Sequence, residues 1–383
     1  MELKKSGINT LCTHYGELED PIYKGAVSPL YMSTSYAFED VAVKRYPRNF
    51  NTPNQVALAK KIAALEHCEA SLIFGSGMAA VSTAMLAFLS AGDHVVLQKT
   101  LYGGTYNFVV EELARFGISY TFTKGLAPND FEAALQDNTK VIYIETPSNP
   151  LLTITDLKAV GVIAKKAGIV SMIDNTFASP VNQNPADFGI DVIIHSATKY
   201  MGGHSDICAG AVAASQAHID QVFRLAKNFG GSLSDYTVWL LERSIKTMGI
   251  RVKAQNENAM EMATYLEAHP EVSKVYYPGL KSHPDHELAA AQMSGFGGML
   301  SFELREGLNA SAFQKALQLI KPSMSLAGIE STLLSPTLTS HALLSPEERK
   351  HQGIADGLIR FSVGIEEVDA LQLDIDQAIK SLL

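Results

Sequence analysis

Asp191-Val192-Ile193-Ile194-His195-Ser196-Ala197-Thr198-Lys199-Tyr200 is the stretch whose reading decides the fold. Its first five residues form a short apolar run of the kind a buried strand makes. The run passes straight into Ser196-Ala197-Thr198-Lys199, and a Gly202-Gly203 turn follows. A lysine just past a buried strand leaves an apolar wall, with hydroxyls one and three residues behind it. Partial burial lowers an amine's pKa and makes it nucleophilic toward carbonyls. Schiff-base chemistry with an aldehyde cofactor needs such an amine, with small hydroxyl donors nearby for a phosphate. Taken alone, the ten residues fit a surface lysine better, because lysines are mostly exposed. The rest of the chain reverses that balance.

On either side the period alternates between apolar strands and helices. Strands are expected at Ser71–Phe74, His94–Gln98, Ile118–Thr123, Val141–Glu145, Ile169–Asp174, Asp191–His195 and Ala211–Ala214. Helices are expected at 54–66, Met78–Leu89, Tyr106–Phe116, Phe131–Leu135 and Asp156–Lys166. Continuous apolar strands separated by helices point to an α/β fold, with a mostly parallel sheet covered on both faces. The helix at 54–66 has a marked start: Thr52 can cap, Pro53 suits the first position and Gln55 completes a capping box. A long helical region, Tyr236–His269, leads out of this sheet into a smaller α+β part. That part is read as strands at 272–277, 298–304 and 358–363 and helices at 310–320 and 368–382. Residues 1–45 lack a helical period and read as an extended arm.

The chain has 383 residues, enough for about two domains. Hydrophobic residues make up 46%, charged residues 19%, and the net charge is −9, so a globular protein without a basic stripe is expected. This argues against nucleic acid and against an anionic membrane surface as partners. The longest apolar stretch, near 78–91, is too short to span a bilayer. No apolar run follows Lys4-Lys5, so no signal peptide is expected. Three cysteines, with no CxxC pair, fit a reducing cytoplasm. The eleven histidines show no metal-ligand spacing, so no metal is expected, and His195 and His204 read as structural.

Four features suit one ligand, an aromatic aldehyde with a phosphate and a ring nitrogen. Gly75-Ser76-Gly77-Met78 lies between a strand and a helix, where free N–H groups can take a phosphate. It is neither a Walker loop nor a dinucleotide fingerprint. Asp174 ends an apolar strand, where a carboxylate can keep a pyridine nitrogen protonated, or can simply make a local turn bond. Tyr102, before Gly103-Gly104, can stack on a planar ring or can serve packing alone. Arg360, inside an apolar strand, needs an anion: a substrate carboxylate or an internal acid.

With these residues in view, the chain closely resembles the trans-sulfuration family of fold-type-I pyridoxal-phosphate enzymes: cystathionine synthases and lyases, methionine γ-lyases and their relatives. The resemblance is carried by Tyr46-Pro47-Arg48, Ser76-Gly77-Met78-Ala79-Ala80, Leu101-Tyr102-Gly103-Gly104-Thr105, Glu145-Thr146-Pro147-Ser148-Asn149-Pro150, Ile173-Asp174-Asn175-Thr176, His195–Tyr200 and Leu358–Gly364. It implies a seven-stranded-type, mostly parallel sheet with a smaller C-terminal domain. It implies an arm over 1–48 that contacts the neighbouring subunit, a cofactor domain over 49–244 and a C-terminal domain over 245–383. It implies that Lys199 carries the cofactor and moves protons, that Asp174 pairs with the ring nitrogen, and that Tyr102 stacks on the ring and assists proton transfer. Gly77, Met78, Ser196 and Thr198 would hold the phosphate, with Tyr46 and Arg48 reaching that of the neighbouring subunit. Arg360, Asn149 and Ser325 would hold the substrate carboxylate, and Ser325 would orient Lys199. A homotetramer, built as a dimer of dimers, follows by the same resemblance.

Three positions depart from the family pattern. Asn51-Thr52-Pro53 inverts the usual order after Tyr-x-Arg. Gly104 stands where methionine γ-lyases carry a cysteine, and Met324 stands where the cystathionine γ-enzymes carry a glutamate. The expected activity is therefore a carbon–sulfur lyase, with β-elimination of L-cystathionine first. Next come cystathionine γ-lyase, methionine γ-lyase, cystathionine γ-synthase or homoserine-ester sulfhydrylase chemistry on the same site. A non-catalytic relative and an aminotransferase are the remaining alternatives.

Overall fold

In the computed structural model, residues 3–339, 353 and 355–383 are described. Seven strands form the larger sheet: β1 Ala70–Phe74, β2 His94–Leu97, β3 Ser119–Phe122, β4 Thr139–Glu145, β5 Val170–Asp174, β6 Val192–His195 and β7 Gly210–Ala214. Their order is β1-β7-β6-β5-β4-β2-β3. From β3 through β6 every pairing is parallel, and β7 runs antiparallel to both β6 and β1.

The apolar runs explain why this sheet is buried on both sides. Along β4, β5 and β6, successive side chains point to opposite faces. Tyr143, Met172, Val192 and Ile194 pack with the helices Gly77–Phe88 and Gln216–Phe229. Ile142, Ile144, Ile173 and Ile193 pack on the other face with the helix Leu157–Ala167. Both faces apolar is the pattern of a covered parallel strand.

A second sheet holds β8 Val272–Tyr276, β9 Met299–Leu304, β10 Lys321–Pro322, β11 Thr332–Leu334 and β12 Leu358–Ser362, in the order β10-β11-β12-β9-β8. Its core joins Leu300, Phe302, Ile359 and Phe361 to the helices Met248–Ala268 and Val368–Lys380. The chain is thus α/β, with a mostly parallel central sheet and a smaller second sheet.

The helix start at residue 53 is as expected. Thr52 accepts the Gln55 N–H and Gln55 accepts that of Thr52, a reciprocal cap that stabilises by about 1 kcal/mol.

Other expectations change. The arm is not wholly irregular, because Ile8–His14 is a helix that buries Leu11 and Cys12. The region Tyr236–His269 is two helices, Asp235–Ile245 and Met248–Ala268, broken at Lys246-Thr247. Residues 106–116 are not one α-helix: a turn at Gly103–Asn107 passes into wider and then tighter coiling over Phe108–Glu112 and Leu113–Phe116. The helices Gln216–Phe229 and His286–Gln292, and the strands β10 and β11, go beyond what the pattern indicated.

Candidate active site

Strands β4, β5 and β6 end in register. Glu145 pairs with Asp174, and Asp174 with Ile194, so two acids and the Lys199 turn share one edge of the sheet. Beyond that edge lies a cavity of about 420 Å³. Ser76, Gly77, Met78, Tyr102, Glu145, Asn149, Asp174, Thr176, Ser196, Thr198, Lys199, Ser325 and Arg360 are among its lining residues. Ligands of open α/β sheets gather at such carboxyl ends.

Lys199 stands on a turn closed by the Gly203 N–H donating to its carbonyl at 2.7 Å. Its Nζ donates to Ser325 Oγ at 2.8 Å. Burial, and then the Arg360 cation, bring its pKa down to about 8. A useful fraction of the amine is therefore neutral near physiological pH. Asp174 is 8% exposed, and its Oδ1 accepts the Thr176 N–H at 3.0 Å. Burial raises its pKa. Asp174 thus makes the local turn bond and also lines the cavity. No cation pairs with it among the described residues. A protonated ring nitrogen would relieve that burial cost.

The phosphate end is equally specific. Ser76 Oγ accepts the Ala79 N–H at 3.0 Å and so caps the helix Gly77–Phe88, whose start faces the cavity. A Cβ at Gly77 would come 2.7 Å from the Ser196 Cβ. Only glycine lets the helix start and the hydroxyl turn close around a small anion. Thr198 is anchored by Ala209, whose N–H it accepts and to whose carbonyl it donates, each at 3.1 Å. Hydroxyls, helix N–H groups, a buried acid and a half-buried amine together fit pyridoxal phosphate.

Arg360 is the cation of the opposite wall. It lies in β12, is 6% exposed, and donates to Asn149 Oδ1 at 3.2 Å and to the Ser325 carbonyl at 2.9 Å. No carboxylate pairs with it among the described residues, so the internal-acid alternative finds no support there. Burial pulls its pKa down to about 10. Tyr102 is 47% exposed, and its ring lies over Gly104, where a Cβ would come 2.6 Å from Tyr102 Cε1.

Tyr46 and Arg48 are not among the lining residues. They stand together on the exposed arm, the guanidinium 5.5 Å from the tyrosine ring centre, with Arg48 donating to the Lys227 carbonyl at 2.7 Å. Asn51 accepts the Tyr46 N–H at 2.8 Å and donates to the Lys44 carbonyl at 2.9 Å, so it closes this loop on itself. His195 pairs with the buried Glu66, and His204 Nδ1 lies 2.8 Å from the Gly202 carbonyl. Neither belongs to a metal cluster among the described residues. Glu145, Thr176 and Cys208 line the cavity without having been singled out. Glu145 carried the same signal as Asp174, an acid ending an apolar strand. Cys208 carried none.

A phosphate cradle and a depressed lysine at one sheet edge, opposed by a buried arginine, define a pyridoxal-phosphate enzyme of the α/β type. The sequence model of one family, Cys/Met metabolism PLP-dependent enzyme, matches residues 9–380, and the chain belongs to that family. A cystathionine γ-lyase of Bacillus subtilis is 43% identical over 97% of this chain and 99% of its own length. The cystathionine β-lyase MetC of the same organism is 42% identical over 94% of this chain and 93% of its own length. A crystal structure of cystathionine γ-lyase from Lactobacillus plantarum, complexed with L-serine, superposes with a TM-score of 0.95 at 38% identity, covering 98% of this chain and 99% of that one. The protein is a pyridoxal-phosphate-dependent carbon–sulfur lyase of this family. No helix among the described residues is long and apolar enough to cross a membrane.

Proposed function

We propose that the enzyme eliminates a β-thiolate from a sulfur amino acid, with L-cystathionine as substrate and homocysteine, ammonia and pyruvate as products. The cavity mouth carries this reading. Met324 stands there 70% exposed, near Leu326, Leu334 and Thr339. The carboxylates among the described lining residues are Glu145 and Asp174, both at buried strand ends. Among the described lining residues, nothing acidic at the mouth holds the distal ammonium of cystathionine, as the glutamate of the γ-enzymes would. The two Bacillus subtilis relatives, one of each kind, differ by a single point of identity, so identity favours neither and the reading rests on the mouth. Gly104 stands where methionine γ-lyases carry a cysteine, and a Cβ there would come 2.6 Å from Tyr102 Cε1, so the ring would have to shift to admit one.

Pyridoxal phosphate, when bound, supplies the electron sink for negative charge at the substrate α carbon. Gly77, Met78, Ser196 and Thr198 would hold its phosphate, Asp174 would keep its ring nitrogen protonated, and Tyr102 would stack on its ring. Lys199 Nζ takes the α proton, for which a pKa of about 8 suits a base working near neutrality. Arg360 and Asn149 hold the α-carboxylate, and Ser325 aims Lys199. The Tyr102 hydroxyl protonates the departing sulfur.

The arm, residues 1–48, covers a neighbouring subunit, and Tyr46 and Arg48 complete that subunit's phosphate site. Residues 49–244 form the cofactor domain and 245–383 the C-terminal one. Ile22, Tyr23, Met32 and Phe38 stand 68–86% exposed along the arm, which supports its burial against another subunit; a dimer of dimers in the cytoplasm is part of the same proposal.

Incubation with L-cystathionine and identification of the keto acid tests the activity. Pyruvate with homocysteine is expected. 2-Oxobutyrate with cysteine would establish γ-elimination instead, and the absence of both would move the assignment to a synthase or sulfhydrylase.

A further inference from the structure

Glu145 is 4% exposed and uses both carboxylate oxygens on backbone donors. Oε2 accepts the Tyr102 N–H at 2.8 Å and Oε1 accepts the Asn149 N–H at 3.2 Å. These donors belong to different loops: Tyr102 follows β2, and Asn149 follows β4. The two loops carry opposite duties at the cavity, the ring-covering tyrosine on one and the Arg360 partner on the other.

Glu145 is itself clamped. Gln98, fully buried, donates to the Glu145 carbonyl at 2.6 Å and accepts the Glu145 N–H at 3.0 Å. Thr155 fixes Gln98 in turn by donating to the same side-chain oxygen at 3.1 Å. The carboxylate therefore projects from a backbone with no slack. Two N–H donors on two oxygens call for an acceptor at each, which a carboxyl group can supply and a carboxamide cannot; burial and then Asp174 push the Glu145 pKa up to about 8, and these two N–H donors pull against that rise.

We infer that Glu145 is a positioning residue: a single carboxylate that sets the Tyr102 wall and the Asn149–Arg360 grip at a fixed separation. Its side chain lines the cavity, but both oxygens are taken by backbone donors, so it acts through Tyr102 and Asn149. The inference rests on the roles given to Tyr102 and Arg360 above. Substrate-carboxylate binding is thereby linked to the lie of the tyrosine over the cofactor ring, through one side chain between them.

The test uses cofactor-loaded enzyme. Glu145→Gln keeps the shape and turns an acceptor into an NH₂ that opposes an N–H. Glu145→Asp keeps the carboxyl group and shortens the reach. Two readouts are taken: the visible circular dichroism of the bound cofactor, which reports its asymmetric surroundings, and its titration with propionate, a carboxylate without an amine. Glu145→Gln should change the dichroism and weaken propionate binding about tenfold or more, with Glu145→Asp in between. Wild-type dichroism and wild-type propionate affinity in Glu145→Gln would overturn the inference. If that variant does not fold, the same wild-type result in Glu145→Asp overturns it. Arg360→Leu separates the two ideas. If Arg360→Leu still binds propionate as wild type does, the carboxylate grip is wrong, and the dichroism of Glu145→Gln alone then decides the hold on Tyr102.

Discussion

The two sheets contribute to the cavity in different ways. The larger sheet brings Glu145, Asp174 and the Lys199 turn to one edge through strand register alone, and burial perturbs all three. The smaller sheet brings one buried cation, Arg360, and a loop in which Ser325 and Ala327 both take positive φ, +85° and +65°. In the proposed reading, chemistry is placed by the sheet common to the fold, and choice of substrate by the loop that carries Met324 and Ser325.

Removing the base breaks the comparison most severely. Lys199→Ala should lose at least about 10³-fold in turnover, measured as keto acid released. Substantial retained turnover would refute its role. On the other wall, Arg360→Leu should raise KM for L-cystathionine about 100-fold while the cofactor spectrum stays as in wild type. A lost spectrum would mean that Arg360 serves the cofactor side instead.

The walls also meet electrostatically. Burial and the Arg360 cation disfavour charged Lys199, so its neutral form prevails above pH about 8. Acetylation of Lys199 in cofactor-free protein, followed by peptide mass mapping, should rise with pH and level off above about 8. Below that it falls about tenfold per unit. Arg360→Leu should move the midpoint upward, because a neighbouring cation is gone. The smallest effect sharpens the contrast: Met324→Glu should raise the 2-oxobutyrate share a few-fold, about 1 kcal/mol of selectivity from an exposed charge. An unchanged product ratio would remove the loop from substrate choice.

The larger sheet was legible because its strands are continuous apolar runs ending on chemistry-bearing residues. Asp174 and Lys199 could be placed at strand ends by pattern alone. The short elements were not legible. β10 has two residues and β11 three, too few for a period, and they exist because β12 offers an edge to β11 and β11 offers one to β10. The break at Lys246-Thr247 is invisible in a stripe that continues across it. Glu145 was passed over because its work is done on backbone N–H groups that no sequence pattern displays.

The hydrogen bond from Lys199 to Ser325 also has an entropic side. A free lysine stem loses roughly 1.5–2 kcal/mol of rotamer freedom when it is held in one geometry. Here the 2.8 Å contact with Ser325 imposes that loss when the chain folds. Wherever Lys199 serves as the free base of the proposed reaction, Ser325 would hold the amine already aimed, and the search over stem rotamers would be absent from that barrier.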